Sequence, residues 1–92
     1  MMLHISSVIV QVVNSALPAV SDYISSLENT SVSASDPLQG KLIVVLEAGT
    51  LRDTEAMIDA LKSIEGVISA TMVYHHNEST SELNQPLYEQ AL

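Results

Sequence analysis

The sequence predicts an α+β sandwich with the element order β-α-β-β-α-β, in which a four-stranded antiparallel sheet carries two helices on one face. Three observations lead to this fold. A run of branched aliphatic residues, 42–46, stands between a turn signal and a helix-start signal, which is typical of an interior strand. Stretches with apolar residues at helical spacing lie on both sides of this run. Alternating apolar stretches at residues 5–13 and 67–75 predict the first and the last strand of the chain.

The first strand is predicted to cover residues 5–13, with apolar side chains on both of its faces. Asn14-Ser15 ends it, and Pro18 then stands where proline is tolerated, in a first helical turn. Apolar residues at steps of three and four predict the first helix. They are Leu17, Val20, Ile24 and Leu27.

A polar, small-residue stretch at 29–36 predicts a short edge strand, because short polar strands are one way in which sheets blunt their edges. The turn Asp36–Gly40 would join it as a hairpin to the interior strand. Alternate residues of the interior strand point to opposite faces of the sheet. Leu42, Val44 and Leu46 point to one face; Lys41, Ile43, Val45 and Glu47 point to the other.

The second helix begins after Thr50, a good N-cap residue with an acidic residue, Asp53, three positions later. Asp53 in the first turn and Lys62 in the last turn match the helix dipole. Gly66 then ends the helix as its C′ residue. A last strand is predicted at Val67–His75, and its alternation places Ala70 and Met72 on the helix-covered face.

Right-handed crossovers place both helices on one face and order the strands 4-1-3-2, the ferredoxin-like arrangement. Residues 1–76 then form the domain, and residues 77–92 form an acidic, flexible tail. The sheet face without helices, which we call the open face, carries contiguous exposed aliphatic residues, and such surfaces mark binding sites. The alternation predicts Ile5, Ser7, Ile9, Gln11, Ile43, Val45, Thr71 and Val73 on the open face, with Lys41, Glu47 and His75 at its rim.

Composition narrows the range of partners. Three basic residues against 11 acidic ones, a net charge of −8, disfavour nucleic acid, and so does the scarcity of aromatic side chains for base stacking. The chain has no cysteine, which excludes disulfides and thiolate chemistry and fits a reducing compartment. The apolar N-terminal stretch has no preceding Lys or Arg and is interrupted by Gln11 and Asn14. We therefore expect no signal peptide, no membrane insertion and a cytoplasmic location.

Catalytic and metal-binding patterns are weak. His4 is predicted to lie near His75 or His76, but these two neighbours point to opposite faces, which leaves at most two imidazoles on either face. The serines lack a Gly-x-Ser-x-Gly turn, and the one arginine, Arg52, is followed by acidic residues. The sequence therefore predicts a protein that is not an enzyme, with no metal and no cofactor.

Three blocks of the chain resemble the NapD family. They are Ser7-Val8-Ile9-Val10-Gln11, the run from Gly40 to Ala48, and the run from Ile64 to His75 with its Val-Tyr-His ending. The resemblance covers roughly residues 4–76. Members of that family are small cytoplasmic chaperones of the periplasmic nitrate reductase.

The resemblance implies a role in Tat proofreading. The chain would bind the twin-arginine signal peptide of the nitrate reductase catalytic subunit, as a helix on the open face, and delay export until the molybdenum cofactor is inserted. Acidic groups such as Glu47 would attract the arginine pair. We expect a monomer or a weak dimer. The alternative is a ferredoxin-like regulatory domain that binds a small ligand as a homodimer.

Overall fold

A computed structural model describes residues 2–79 of the chain. All strand pairs are antiparallel, and the sheet order is β2-β3-β1-β4. This is the predicted 4-1-3-2 order read from the other edge, so the ferredoxin-like α+β fold is confirmed. The elements are β1 (Met2–Val12), a 3₁₀ turn (Asn14–Ala16), α1 (Leu17–Ser25), β2 (Thr30–Asp36), β3 (Lys41–Ala48), α2 (Leu51–Lys62) and β4 (Val67–Ser79).

The Thr50 cap forms as predicted, but α2 ends at Lys62 with Ser63 as its C-cap, so Gly66 is not the C′ residue and belongs instead to the turn that precedes β4. Thr50 Oγ1 accepts a hydrogen bond from the Asp53 backbone N–H at 3.0 Å and so caps α2. Gly40 and Gly66 have positive φ angles of 67° and 95°. Side chains at these positions would also collide with neighbours, because a Cβ on Gly66 would lie 2.6 Å from the Ala16 Cβ. Both turns therefore require glycine.

The hydrophobic core lies between the helices and one face of the sheet. Alternate residues of β1 and β3 meet the inner stripes of both helices there, and each is nearly or fully buried. The alternation predicted this face of the two central strands correctly. The core consists of Val8, Val10, Val12, Leu17, Val20, Ile24, Leu42, Val44, Leu46, Ile58, Leu61 and Ala70, with Met57, Ile64 and Val67 packed against it.

The last strand is longer than predicted. β4 pairs with β1 as far as Ser79, so the first residues of the predicted tail, 77–79, belong to the sheet. The rest of that tail, from residue 80 onward, lies outside the described residues. Among residues 2–79, neither helix has the length and apolar character that crossing a bilayer would require.

Candidate functional site

The open face is a continuous surface formed by the odd-numbered residues of β1 and β3. On β1, which pairs with β3 and β4, the residues of this face have intermediate exposure; they are Leu3, Ile5, Ser7 and Ile9. Ile43 and Val45 on β3 have the same intermediate exposure. Within residues 2–79 both helices pack on the opposite face of the sheet. This surface is therefore both largely apolar and accessible to a binding partner.

The strand register arranges this face in rows, since residues directly opposite on paired strands project from the same face. The aliphatic side chains Ile5, Ile9, Ile43 and Val45 lie in the first three of four rows, and the first and last rows carry the charged residues Glu47 and Lys41. From one end to the other, the rows are Glu47–Ile5–His76, Val45–Ser7–Tyr74, Ile43–Ile9–Thr71 and Lys41–Gln11–Ser69. We call the first row the Glu47 end and the last row the Lys41 end.

The structure corrects the predicted position of His75, and it places Val73, which is 55% exposed, at a break in the strand register. Ser7 pairs with Tyr74 but Val8 pairs with Met72, so Val73 is the extra residue of a β-bulge and has no partner in the register. The extra residue reverses the alternation for the remainder of β4. His75 pairs with Ser6 and so lies on the helix side, not at the rim of the open face.

The same bulge brings Tyr74 and His76 to the open face, and the alternation predicted neither residue there. Their rings meet edge to face, with centroids 5.6 Å apart. The Tyr74 side chain is 58% exposed, and its row partner on β1 is the small Ser7. The aromatic surface of Tyr74 is therefore open to a ligand. The alternation of apolar and polar residues carries no signal for this placement, because it assumes regular pairing along the whole of β4.

Charge on this face is divided between its two ends. Glu47 is exposed at one end of β3, and Lys41 lies at the other. Asp36 pairs with Lys41 in the register, but its carboxylate accepts hydrogen bonds from the backbone N–H groups of Leu38 and Gln39, at 3.1 and 3.3 Å. This carboxylate is therefore held by the β2–β3 turn. The face therefore has an acidic end at Glu47, an apolar centre, and an end at which Lys41 lies opposite the Asp36 carboxylate.

The helix-side histidines form a contact of their own. His4 Nδ1 lies 3.1 Å from His75 Nε2, and the rings stack at 5.3 Å. Ser6 is buried next to His75, and its hydroxyl has no hydrogen-bond partner within the part of the chain that the structure describes. In that same part, no three His, Asp or Glu side chains come together as metal ligands would. His4 and His75 therefore form a stacked, hydrogen-bonded pair between β1 and β4.

One crevice of about 620 Å³ opens on the helix side, at the junctions that precede α1 and follow α2. Its walls are mostly aliphatic, and Glu65 is its only titratable residue. A nucleophile with a base, or paired carboxylates, would be needed for hydrolytic chemistry there. The crevice is lined by Val13, Ala16, Ala19, Val20, Ile64, Glu65 and Gly66.

Comparisons with known proteins agree with one another. The family model for the NapD protein matches residues 3–79. The Chaperone NapD of Escherichia coli K12 is 30% identical over 79 residues, which cover 86% of this chain and 91% of that protein. The Chaperone NapD of Haemophilus influenzae is 27% identical over the same length and is covered to 85%. The solution structure of the E. coli Tat proofreading chaperone protein NapD superposes with a TM-score of 0.74 at 26% identity, covering 91% of this chain and 87% of that one.

Proposed function

The chain belongs to the NapD family of chaperones, and from that premise we propose that it binds the twin-arginine signal peptide of a periplasmic nitrate reductase precursor. Binding would take place in the cytoplasm, before export. It would keep the precursor from the export machinery until its cofactor is in place. The chain itself would catalyse no reaction.

The observation that carries this proposal is the open face. Ile5, Ile9, Ile43 and Val45 form an apolar centre that no described element of the chain covers. Contiguous apolar surfaces of this kind mark sites of interaction with other proteins or peptides. A signal peptide supplies the matching ligand, because its central region is apolar and its N-terminal region is basic.

The charge of the chain supports the same partner. A net charge of −8 attracts a basic peptide from a distance and raises the association rate. Glu47 then places an acidic group next to the apolar centre. The contact set that we propose for the peptide keeps all residues predicted from the sequence except His75, which lies on the helix side, and includes Tyr74 and His76 in addition. It consists of Ile5, Ser7, Ile9, Gln11, Ile43, Val45, Glu47, Thr71, Val73, Tyr74 and His76.

Titration calorimetry with a synthetic signal peptide tests the proposal. We expect saturable 1:1 binding at micromolar concentrations, and much weaker binding of a control peptide of the same composition in scrambled order. Absence of heat with both peptides at tens of micromolar would contradict the proposal. A stable homodimer that the peptide neither dissociates nor binds would favour the regulatory-domain alternative.

A further inference from the structure

The open face has a direction, and a peptide that binds it can be orientated by that direction. We propose, on the basis of the function proposed above, that the signal peptide binds with its arginine pair at the Glu47 end and its apolar stretch running toward the Lys41 end. Tyr74 is then the residue that distinguishes arginine from lysine.

The first support for this orientation is the distribution of charge. Glu47 is exposed on the open face at the end where Ile5 and His76 complete the row. Lys41 occupies the opposite end, and the Asp36 carboxylate next to it is engaged by the β2–β3 turn. The Asp36 carboxylate keeps its charge and offsets that of Lys41, so an arginine pair is attracted to the Glu47 end and finds no net attraction at the Lys41 end.

The helix dipole of the ligand favours the same orientation. In a signal peptide the basic residues precede the apolar stretch. If the apolar stretch binds as a helix, its N-terminus, which carries partial positive charge, lies near Glu47. Its C-terminus, which carries partial negative charge, lies near Lys41. In the reverse orientation the arginines would lie far from Glu47, and the partially negative C-terminus of the helix would lie next to it.

The dimensions of the face also fit. The Ile5 row and the Gln11 row are six residue steps apart along β1, a span of about 20 Å at the usual strand rise. A helix of about 13 residues covers that distance. The apolar region of a signal peptide has about 7–15 residues. One helix can therefore reach from the Glu47 end to the Lys41 end.

Tyr74 supplies the chemistry that favours arginine. Its ring is more than half exposed and lies next to the small Ser7, one row and two strands from Glu47. A planar guanidinium stacks on such a ring better than an ammonium group does, so one arginine of the pair can stack on Tyr74 while the other pairs with Glu47. Glu47 attracts either cation, so the preference for arginine depends on Tyr74.

Paramagnetic labels on the peptide test the orientation directly. A nitroxide placed before the arginines is expected to broaden the methyl resonances of Ile5 more than those of Ile43. A label after the apolar stretch is expected to do the opposite. The reverse pattern, or equal broadening from both labels, would overturn the orientation and leave the proposed function intact. Failure of the peptide to bind at all would instead overturn the proposed function.

Substitutions test the residue roles. Glu47→Gln is expected to weaken binding of the twin-arginine peptide about two- to fivefold, and to leave binding of a peptide with two glutamines in place of the arginines unchanged. Glu55→Gln, which removes the same charge from exposed α2, is the matched control. Tyr74→Leu should reduce the ratio of the affinities for twin-arginine and twin-lysine peptides, whereas Tyr74→Phe should retain it. An unchanged ratio in Tyr74→Leu, with native circular dichroism, would contradict the role of Tyr74.

Discussion

The two sides of β3 are built from the same kinds of residue but are used differently. Leu42 and Val44 are completely buried beneath the helices. Ile43 and Val45, which alternate with them along the same strand, remain partly exposed on the open face. Stability of the fold accounts for the first pair only. No part of residues 2–79 covers this second apolar face, and the proposed peptide partner accounts for it.

The largest expected effect is on stability, from Leu42→Ala. Removing a fully buried leucine side chain leaves a cavity in the core and should cost about 2–5 kcal/mol of the free energy of unfolding. The neighbouring Ile43→Ala is the matched control, and it should cost clearly less because Ile43 is already partly exposed. Urea denaturation of both variants measures the difference. Equal losses would mean that the open face is as important to folding as the core.

A charge at the centre of the open face should abolish peptide binding without unfolding the chain. Val45→Asp or Ile9→Asp would place a carboxylate under the apolar part of the peptide, where it would be desolvated without a partner. We expect a loss of affinity of about 100-fold in calorimetry, with a native circular dichroism spectrum. Val44→Asp, one residue away on the core side, should instead prevent folding. A Val45→Asp variant that binds normally would exclude this face as the site.

Glu47→Lys should have an intermediate effect that depends on salt. Reversing the charge at the Glu47 end replaces attraction of the arginine pair by repulsion, which we expect to cost up to about tenfold in affinity at low ionic strength. The loss should shrink at high ionic strength, since salt screens exposed charges. Calorimetry at two salt concentrations measures both values. A loss that is independent of salt would indicate lost packing at Glu47 rather than lost charge.

The smallest effect is expected at a residue that belongs to neither face of the sheet. Thr50→Ala removes the hydroxyl that caps α2 and should cost about 1 kcal/mol of stability. Peptide affinity should stay unchanged, because α2 packs on the opposite side of the sheet. Thermal denaturation and calorimetry check the two values. Weaker binding in Thr50→Ala would show that the helix layer contributes to recognition.

The sequence was sufficient for most of the fold because the relevant signals are local. Branched aliphatic residues, the Thr50 cap and the glycine turns each act within a few residues, and together they predict the elements and the sheet order. The alternation also places the residues of β1 and β3 correctly on the open face. It is wrong beyond Val73, because a bulge depends on how β4 pairs with β1, and no glycine or proline in β4 marks that position.

Because of the bulge at Val73, the face on which residues 74–76 lie can change while the rest of the open face stays the same. β4 is an edge strand, so residues beyond the bulge pair only with β1. If β4 paired with β1 without the bulge, Val73 would lie opposite Ser7 and Tyr74 opposite Ser6, which would return His75 to the open face and remove Tyr74 and His76 from it. Val67–Met72 and the whole of β3 would keep their positions. A shift of one residue in the pairing of one strand would therefore change what the Glu47 end recognises while the residues of β3 and the core stay as they are.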